Sequence, residues 1–343
     1  MTATPSMQQL VIEQPGRLAW RECARPRIQK QAEALVRPLV VGRCDLDVAF
    51  VRGVVPIAGG SSLGHECIAE VLEVGDGVSS IAPGQRVLVS AQISCGVCDM
   101  CRRGFTGRCL AVPFGASFGM GRAGDFGGAL VDCLRVPFAD AMLVPLPLSL
   151  DPIEAISIAD MALDAWRAVG PYLQERPGAA VLVAGGTPAV IGLYAAAIAV
   201  AMGASEVVYV DDDKERRSRA EAIGARCVSR DDSLGAHFDI VVDACGDPAA
   251  LAQTLGYAAP EAIFTSVTIY LDGPVPLPLR EMYVKGITFR TGRPNVRPAM
   301  EHVMGLCRTG SFKPDAVPAK VFGFEDAAEA WASEELRTAV SRL

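Results

Sequence analysis

The chain has 343 residues, half of them apolar, and a net charge of −7. A single core stops growing at about 250–300 residues, so two domains are expected. The acidic balance argues against nucleic acid as a partner, because holding phosphates needs a basic face.

The opening MTATPSMQQL has neither a basic n-region nor an apolar h-region. No secretory signal is read there, and the expected location is the cytoplasm. Up to about residue 148 come short apolar runs, such as ECIAEVLEVGDGV and PGQRVLVSA, broken by Gly and Pro. That rhythm predicts an antiparallel barrel or sandwich. From about residue 150 it changes to DPIEAISIADMALDAWRAVGPYL with helical spacing, then AAVLVAGG, PAVIGLYAAAIAVAMG, EVVYVDDD, KERRSRAEAIG and FDIVVDACG. Strand and helix alternate, which predicts a doubly wound parallel sheet. Residues 179–204 carry no charge over 26 positions. The length could span a bilayer, but Gly-Gly-Thr-Pro interrupts it and no basic cluster flanks it. A buried strand, a turn and a buried helix are expected instead.

Eleven cysteines in a chain without an export signal read as thiols, not disulfides. CGVCDMCRRGFTGRC, residues 95–109, sets Cys95, Cys98, Cys101 and Cys109 in a C-x2-C-x2-C-x7-C spacing. Four thiolates close a tetrahedron around zinc and leave no open corner, so this lobe is expected to be structural. An iron–sulfur cluster uses the same ligand type; the crowding of three ligands on one loop favours zinc. Cys23, Cys67, Cys133, Cys227, Cys245 and Cys307 stand singly and are read as small buried hydrophobes.

A zinc site that does chemistry needs three protein ligands and a free position. Gly64-His65-Glu66 sets an imidazole beside a carboxylate after a glycine-rich loop, and Cys44 lies in the polar break GRCDLD. His237 and His302 have no acidic or thiol neighbour in a ligand pattern and are read as surface or packing residues. VLVAGGTPAVIG, residues 181–192, is a strand, a Gly-rich turn and a helix start. There Gly185, Gly186, Thr187, Val190 and Ile191 would bring backbone N–H groups to a pyrophosphate. The motif is imperfect, with Thr187 where a second glycine usually falls. The next strand ends at Asp211, 26 residues after Gly185. A carboxylate there takes the ribose hydroxyls and repels a 2′-phosphate, which favours NAD over NADP. Arg216 is a candidate for the adenine face.

The order Cys44, Gly64-His65-Glu66, the four-cysteine lobe, the Gly-rich turn and Asp211 resembles the zinc-dependent medium-chain alcohol dehydrogenase family over essentially the whole chain. EVGDGVSSIAPGQRV and GDFGGALVDCLRVP fit the same pattern, and VPFADAMLVPLP is similar to the threonine- and formaldehyde-dehydrogenase-like branch. The resemblance implies a GroES-like catalytic domain at 1–148 and 296–343, and a Rossmann NAD-binding domain at 149–295. It implies Cys44, His65 and Asp160 as ligands of a catalytic zinc. Glu66 would be a fourth or exchanging ligand, and Asp47 the carboxylate that steadies the histidine. The lobe at 95–109 would hold the structural zinc. The implied reaction interconverts an alcohol with an aldehyde or ketone by hydride transfer, with zinc as Lewis acid. The partners implied are a small-molecule substrate and copies of the chain in a homodimer or homotetramer, joined by an edge around 263–290. No nucleic acid and no membrane are expected.

One departure stands out. The family's proton relay begins with Ser or Thr two positions after the cysteine ligand and often ends at a histidine. Leu46 and Ala49 stand at those places, and neither carries a proton. Glu66, Asp164 or water are the alternative routes. The other reading is a zinc- and dinucleotide-binding redox sensor with little or no turnover.

Overall fold

The computed structural model describes residues 6–121, 124–235 and 237–343. Its contacts divide the chain into two compact units. One comprises Met1–Asp160, Asn295–His302 and Pro318–Leu343; the other comprises Met161–Pro294 and Val303–Val317.

The first unit is built on a barrel-like antiparallel sheet. Ala34–Arg43 lies at its centre, with Glu66–Val74 on one side and Thr338–Ser341 on the other. Arg86–Val89 and Leu143–Pro145 extend the Glu66–Val74 side, and Lys320–Gly323 runs parallel to Thr338–Ser341. The strand ALVRPLVVGR is buried at every residue but Arg37, so it reads as an apolar run and not as an alternation. Leu10, Val36, Val41, Leu63, Phe118 and Trp331 share one core with it. The helix α1 (Asp45–Val51) leaves the end of this strand.

The second unit carries a six-stranded, all-parallel sheet. Its strands are β1 (Val181–Ala184), β2 (Val207–Val210), β3 (Arg226–Val228), β4 (Phe238–Asp243), β5 (Ala258–Ser266) and β6 (Thr288–Arg290). Their order in the sheet is β3-β2-β1-β4-β5-β6, and every pairing is parallel. The strand order turns between β1 and β4, the place where such sheets take a ligand at the strands' carboxyl ends. Helices α2 (Met161–Glu175), α3 (Ala189–Ala201) and α4 (Lys214–Ile223) belong to the same unit. α3 is apolar throughout and buried from Ala189 to Ala199, packed against α2, α4 and the sheet. The uncharged run at 179–204 thus resolves into β1, a turn and α3. Among the described residues no helix is long and apolar enough to cross a membrane.

All eleven cysteines are free thiols. Cys67, Cys133 and Cys245 are buried, whereas Cys23, Cys227 and Cys307 are half-buried. Cys245 does more than fill space: its thiol donates to Asp243 Oδ1 at 2.8 Å.

Candidate metal and dinucleotide sites

Cys44 ends the central strand and caps α1. Its backbone N–H donates to Asp47 Oδ2 at 3.0 Å in a capping box, so one local turn ties the thiol to the carboxylate three residues on. His65 is delivered by Gly64, whose φ of +86° suits glycine. The Leu63 and Gly64 carbonyls accept from Leu130 and Ala129, which locks the loop in place. A Cβ at Gly128 would collide with the Leu63 carbonyl, so the GDFGG segment can approach that closely only as glycine.

Asp160 arrives from a 3-10 turn, Glu154–Ala159, that is buried over Ala155–Ala159. The three ligand atoms of Cys44, His65 and Asp160 all lie within 4.8 Å of one another, and all three residues are buried. His65 Nε2 stands 3.4 Å from Asp160 Oδ2, and Nδ1 stands 3.7 Å from Asp47 Oδ2. Neither buried ring nitrogen completes a hydrogen bond. Burial alone would lower the imidazole's pKa, but Asp47 and Asp160 outweigh it and lift the group to about 9. Burial drives the Cys44 thiol well above its ordinary range, and Asp160, Asp45 and Asp47 push it further. A sulfur, a nitrogen and an oxygen converge, surrounded by carboxylates and with ring nitrogens left over. Such a donor set could hold a zinc ion with a corner to spare.

Glu66 lies outside this cluster. Its buried carboxylate packs against Gly42, where a Cβ would collide with it. Its charge, with those of Asp45 and Cys44, acts on the buried guanidinium of Arg337, whose pKa burial nevertheless lowers. Sequence reasoning missed Arg337, which reaches the site only because Thr338 pairs with Arg43 across the sheet. Asp164, one of the alternative proton routes, lies buried in the first turn of α2. Asp160 precedes α2 with φ −155°, and the Asp164 carboxylate takes the Arg167 guanidinium.

The lobe brings Cys95, Cys98, Cys101 and Cys109 within 4.8 Å of one another. Backbone N–H groups point at the sulfurs: Cys95 and Ala111 donate to Cys109 at 3.3 and 3.4 Å, Cys98 to Cys95 at 3.4 Å, and Leu110 to Cys98 at 3.4 Å. The Leu110 N–H is the largest influence lowering the Cys98 thiol, to about 6. Four sulfurs leave no donor position open, which fits a structural zinc.

In the second unit, β1 runs into Gly185-Gly186-Thr187 and then α3. A Cβ at Gly186 would collide with the Cys245 carbonyl. Val190 and Ile191 turn their side chains into the core, so what they can offer a ligand is backbone N–H at the helix start. Asp211 follows β2 and is fully buried. Arg216 forks onto Asp211, with Nε at 2.6 Å from Oδ2 and Nη2 at 2.7 Å from Oδ1. Burial would raise the Asp211 carboxyl, but Arg216 and the Asp213 N–H hold it below the usual range. Tyr209 and Arg230, which sequence reasoning missed, complete this corner. Tyr209 donates to Asp211 Oδ2 at 3.2 Å, and Arg230 donates to the Gly185 carbonyl at 2.9 Å.

A GroES-like barrel holding a three-donor cluster, in one chain with a Rossmann sheet, defines a dehydrogenase architecture. Residues 30–147 match the family model for the alcohol dehydrogenase GroES-like domain, and residues 190–304 match that for zinc-binding dehydrogenases. A probable zinc-binding alcohol dehydrogenase of Mycobacterium tuberculosis is 27% identical over 97% of this chain and 86% of its own. An L-threonine 3-dehydrogenase of Bacillus subtilis is 34% identical over 67% of this chain and 66% of its own. The structure of an alcohol dehydrogenase from Thermus sp. ATN1 superposes with a TM-score of 0.90 at 31% identity, covering 98% of this chain and 99% of that one. The chain belongs to the zinc-type medium-chain alcohol dehydrogenase family, a family of oxidoreductases.

Proposed function

We propose that the protein is an NAD-dependent oxidoreductase interconverting an alcohol with an aldehyde or ketone, with one catalytic and one structural zinc. The observation that carries this reading is the buried convergence of Cys44, His65 and Asp160. Zinc, when bound, supplies Lewis-acid polarisation of the reacting oxygen, and the dinucleotide supplies the hydride acceptor or donor.

The chain's own residues do the rest. Cys44 and Asp160 bring negative charge to the cation, and His65 brings a neutral donor. Asp47 holds the Cys44 backbone and, by its charge, the orientation of the imidazole. Glu66, drawn toward Arg337, is the reserve carboxylate, placed one residue beyond His65. The N–H groups of the Gly185–Thr187 turn and of the start of α3 meet the pyrophosphate. Asp211 marks the adenosine ribose. Leu46 and Ala49 hold no proton, so the exchangeable proton passes to water without a side-chain relay. The edge strand β6 and the exposed Leu279, Tyr283 and Val284 nearby in sequence support a homo-oligomer joined at this side of the sheet.

The test is NAD reduction with a panel of primary and secondary alcohols, before and after chelation, alongside zinc content per chain. The expected result is two zincs, turnover with at least one alcohol, and its loss on chelation. Bound dinucleotide with no turnover on any alcohol or carbonyl would replace the enzyme by the redox-sensor reading.

A further inference from the structure

Asp47 steadies the candidate metal cluster with one of its two oxygens. Oδ2 takes the Cys44 N–H at 3.0 Å and stands 3.7 Å from His65 Nδ1. Oδ1 is also buried and completes no hydrogen bond. The last side-chain torsion of an aspartate is soft, so one held oxygen does not fix the carboxylate plane. The second oxygen must be held if the first is to stay toward the imidazole.

One buried donor is placed to do so. Trp331 is 1% exposed, and its indole Nε1–H completes no hydrogen bond elsewhere. A buried indole N–H ordinarily finds an acceptor. The acceptor within its reach is Asp47: burial raises that carboxyl, and His65, the Cys44 N–H and the Trp331 side chain, in that order, oppose the rise. Trp331 lies in the short helix Ala327–Ala332, which packs against α1. Arg43, the residue before Cys44, sets the height of that helix. Its Nη1 donates to the carbonyls of Ala330 at 3.0 Å, Trp331 at 3.2 Å and Ser333 at 2.7 Å. The strand end that carries Cys44 thus grips the main chain of Trp331 while the indole meets Asp47, all within the first unit.

We propose that Trp331 is a positioning residue for the candidate metal site: its indole N–H holds Asp47 Oδ1, which keeps Oδ2 toward His65 Nδ1 and Nε2 turned to Asp160. The inference rests on the reading of Cys44, His65 and Asp160 as a metal site. Packing alone is served by any large aromatic ring, whereas positioning requires the N–H.

The experiment reads metal binding and needs no substrate. Trp331→Phe removes the N–H and keeps a ring. Zinc is withdrawn from the unaltered protein and the variant by a chelator of known affinity. Cobalt(II) tells the two sites apart, since four thiolates absorb more strongly than one. In the variant the Cys44 site is expected to bind about three-fold or more weakly, the lower end of the effect of an outer partner of a metal ligand. The four-cysteine lobe is expected to stay within about two-fold of its starting affinity. No weakening at the Cys44 site, or equal weakening at both, overturns the proposal. A second arm uses the unaltered protein, so it stands even if the variant does not fold. With tryptophan labelled by 15N in the zinc-loaded protein, the Trp331 indole proton is expected downfield of its random-coil position, as bonding to a carboxylate requires. Trp20 and Trp166 are identified by their own substitutions to Phe, and a random-coil shift for Trp331 overturns the proposal. Two filled sites with an unmoved affinity sink this inference alone. An unaltered protein that takes metal only in the lobe sinks the reading of the Cys44 cluster with it.

Discussion

At residue 42 there is no room for a methyl group. A Cβ there meets the buried Glu66 carboxylate, and Glu66 neighbours both His65 and the field of Arg337. Gly42→Ala is expected to destabilise the first unit by about 1–3 kcal/mol, the range of overpacking in a full core. Zinc analysis should show the Cys44 site losing occupancy before the lobe does. Asp211 gives a pH signature. Its folded pKa lies below its unfolded value of about 3.9, so its ion pair stabilises the fold above that pH and the stabilisation is lost as pH falls through the folded pKa. Asp211→Asn should lower stability by about 3 kcal/mol, the effect of stranding one partner of a desolvated pair. Urea midpoints of the two proteins should differ by a constant amount from pH 7 to 5 and converge only below about pH 4. Both residues show where sequence reading stops. Asp211 was legible from its distance to the Gly-rich turn, but the partner that saturates it was not, because a fork five residues away depends on how β2 hands over to α4. Glu66 was legible as a carboxylate beside His65, yet the cradle at Gly42 and the cation at Arg337 come from strands distant in sequence.

Among the elements, the four-cysteine lobe was the most legible, since its ligands and spacers sit in fifteen consecutive positions and the chemistry of thiolates dictates the rest. Asp160 was legible for a different reason. The family resemblance implied it, and the isoleucines beside it, Ile156 and Ile158, are buried completely, where an unpaired carboxylate is expensive. The helical spacing read from DPIEAISIAD onward is a 3-10 turn over Glu154–Ala159 before the α-helix begins at Met161. Cys98→Ser should remove one zinc per chain and lower the melting temperature by on the order of 5 °C, as a loss of about 2 kcal/mol does in a unit of this size. The Cys44 cluster should keep its metal, and metal analysis with calorimetry checks both halves of that expectation.

At the scale of the whole molecule, the candidate metal cluster lies within one compact unit and the Gly-rich turn within the other, each with its own apolar core. Removing one metal donor in the first unit leaves the core that supports the Gly-rich turn unchanged. Cys44→Ser is expected to lower turnover at least a hundred-fold and to leave the dissociation constant of NADH within two-fold of its starting value. A parallel loss of NADH binding in fluorescence titration would contradict that separation. The doubly wound sheet was readable because alternating strand and helix patterns are local. The return of residues 296–343 to the first unit was implied only by family resemblance; the contacts return Asn295–His302 and Pro318–Leu343 and place Val303–Val317 in the second unit, since no local pattern records which sheet a late segment joins.

That late strand imposes an order on biosynthesis. Thr338–Ser341 pairs with Val40–Arg43, the stretch leading directly into Cys44, and Arg337 beside it is buried toward Glu66. A nascent chain that has made Cys44, His65 and Asp160 still lacks the strand that covers their support. The ribosome must pass residue 341 before that sheet closes, whereas the second unit is complete at Val317 and is free to fold first.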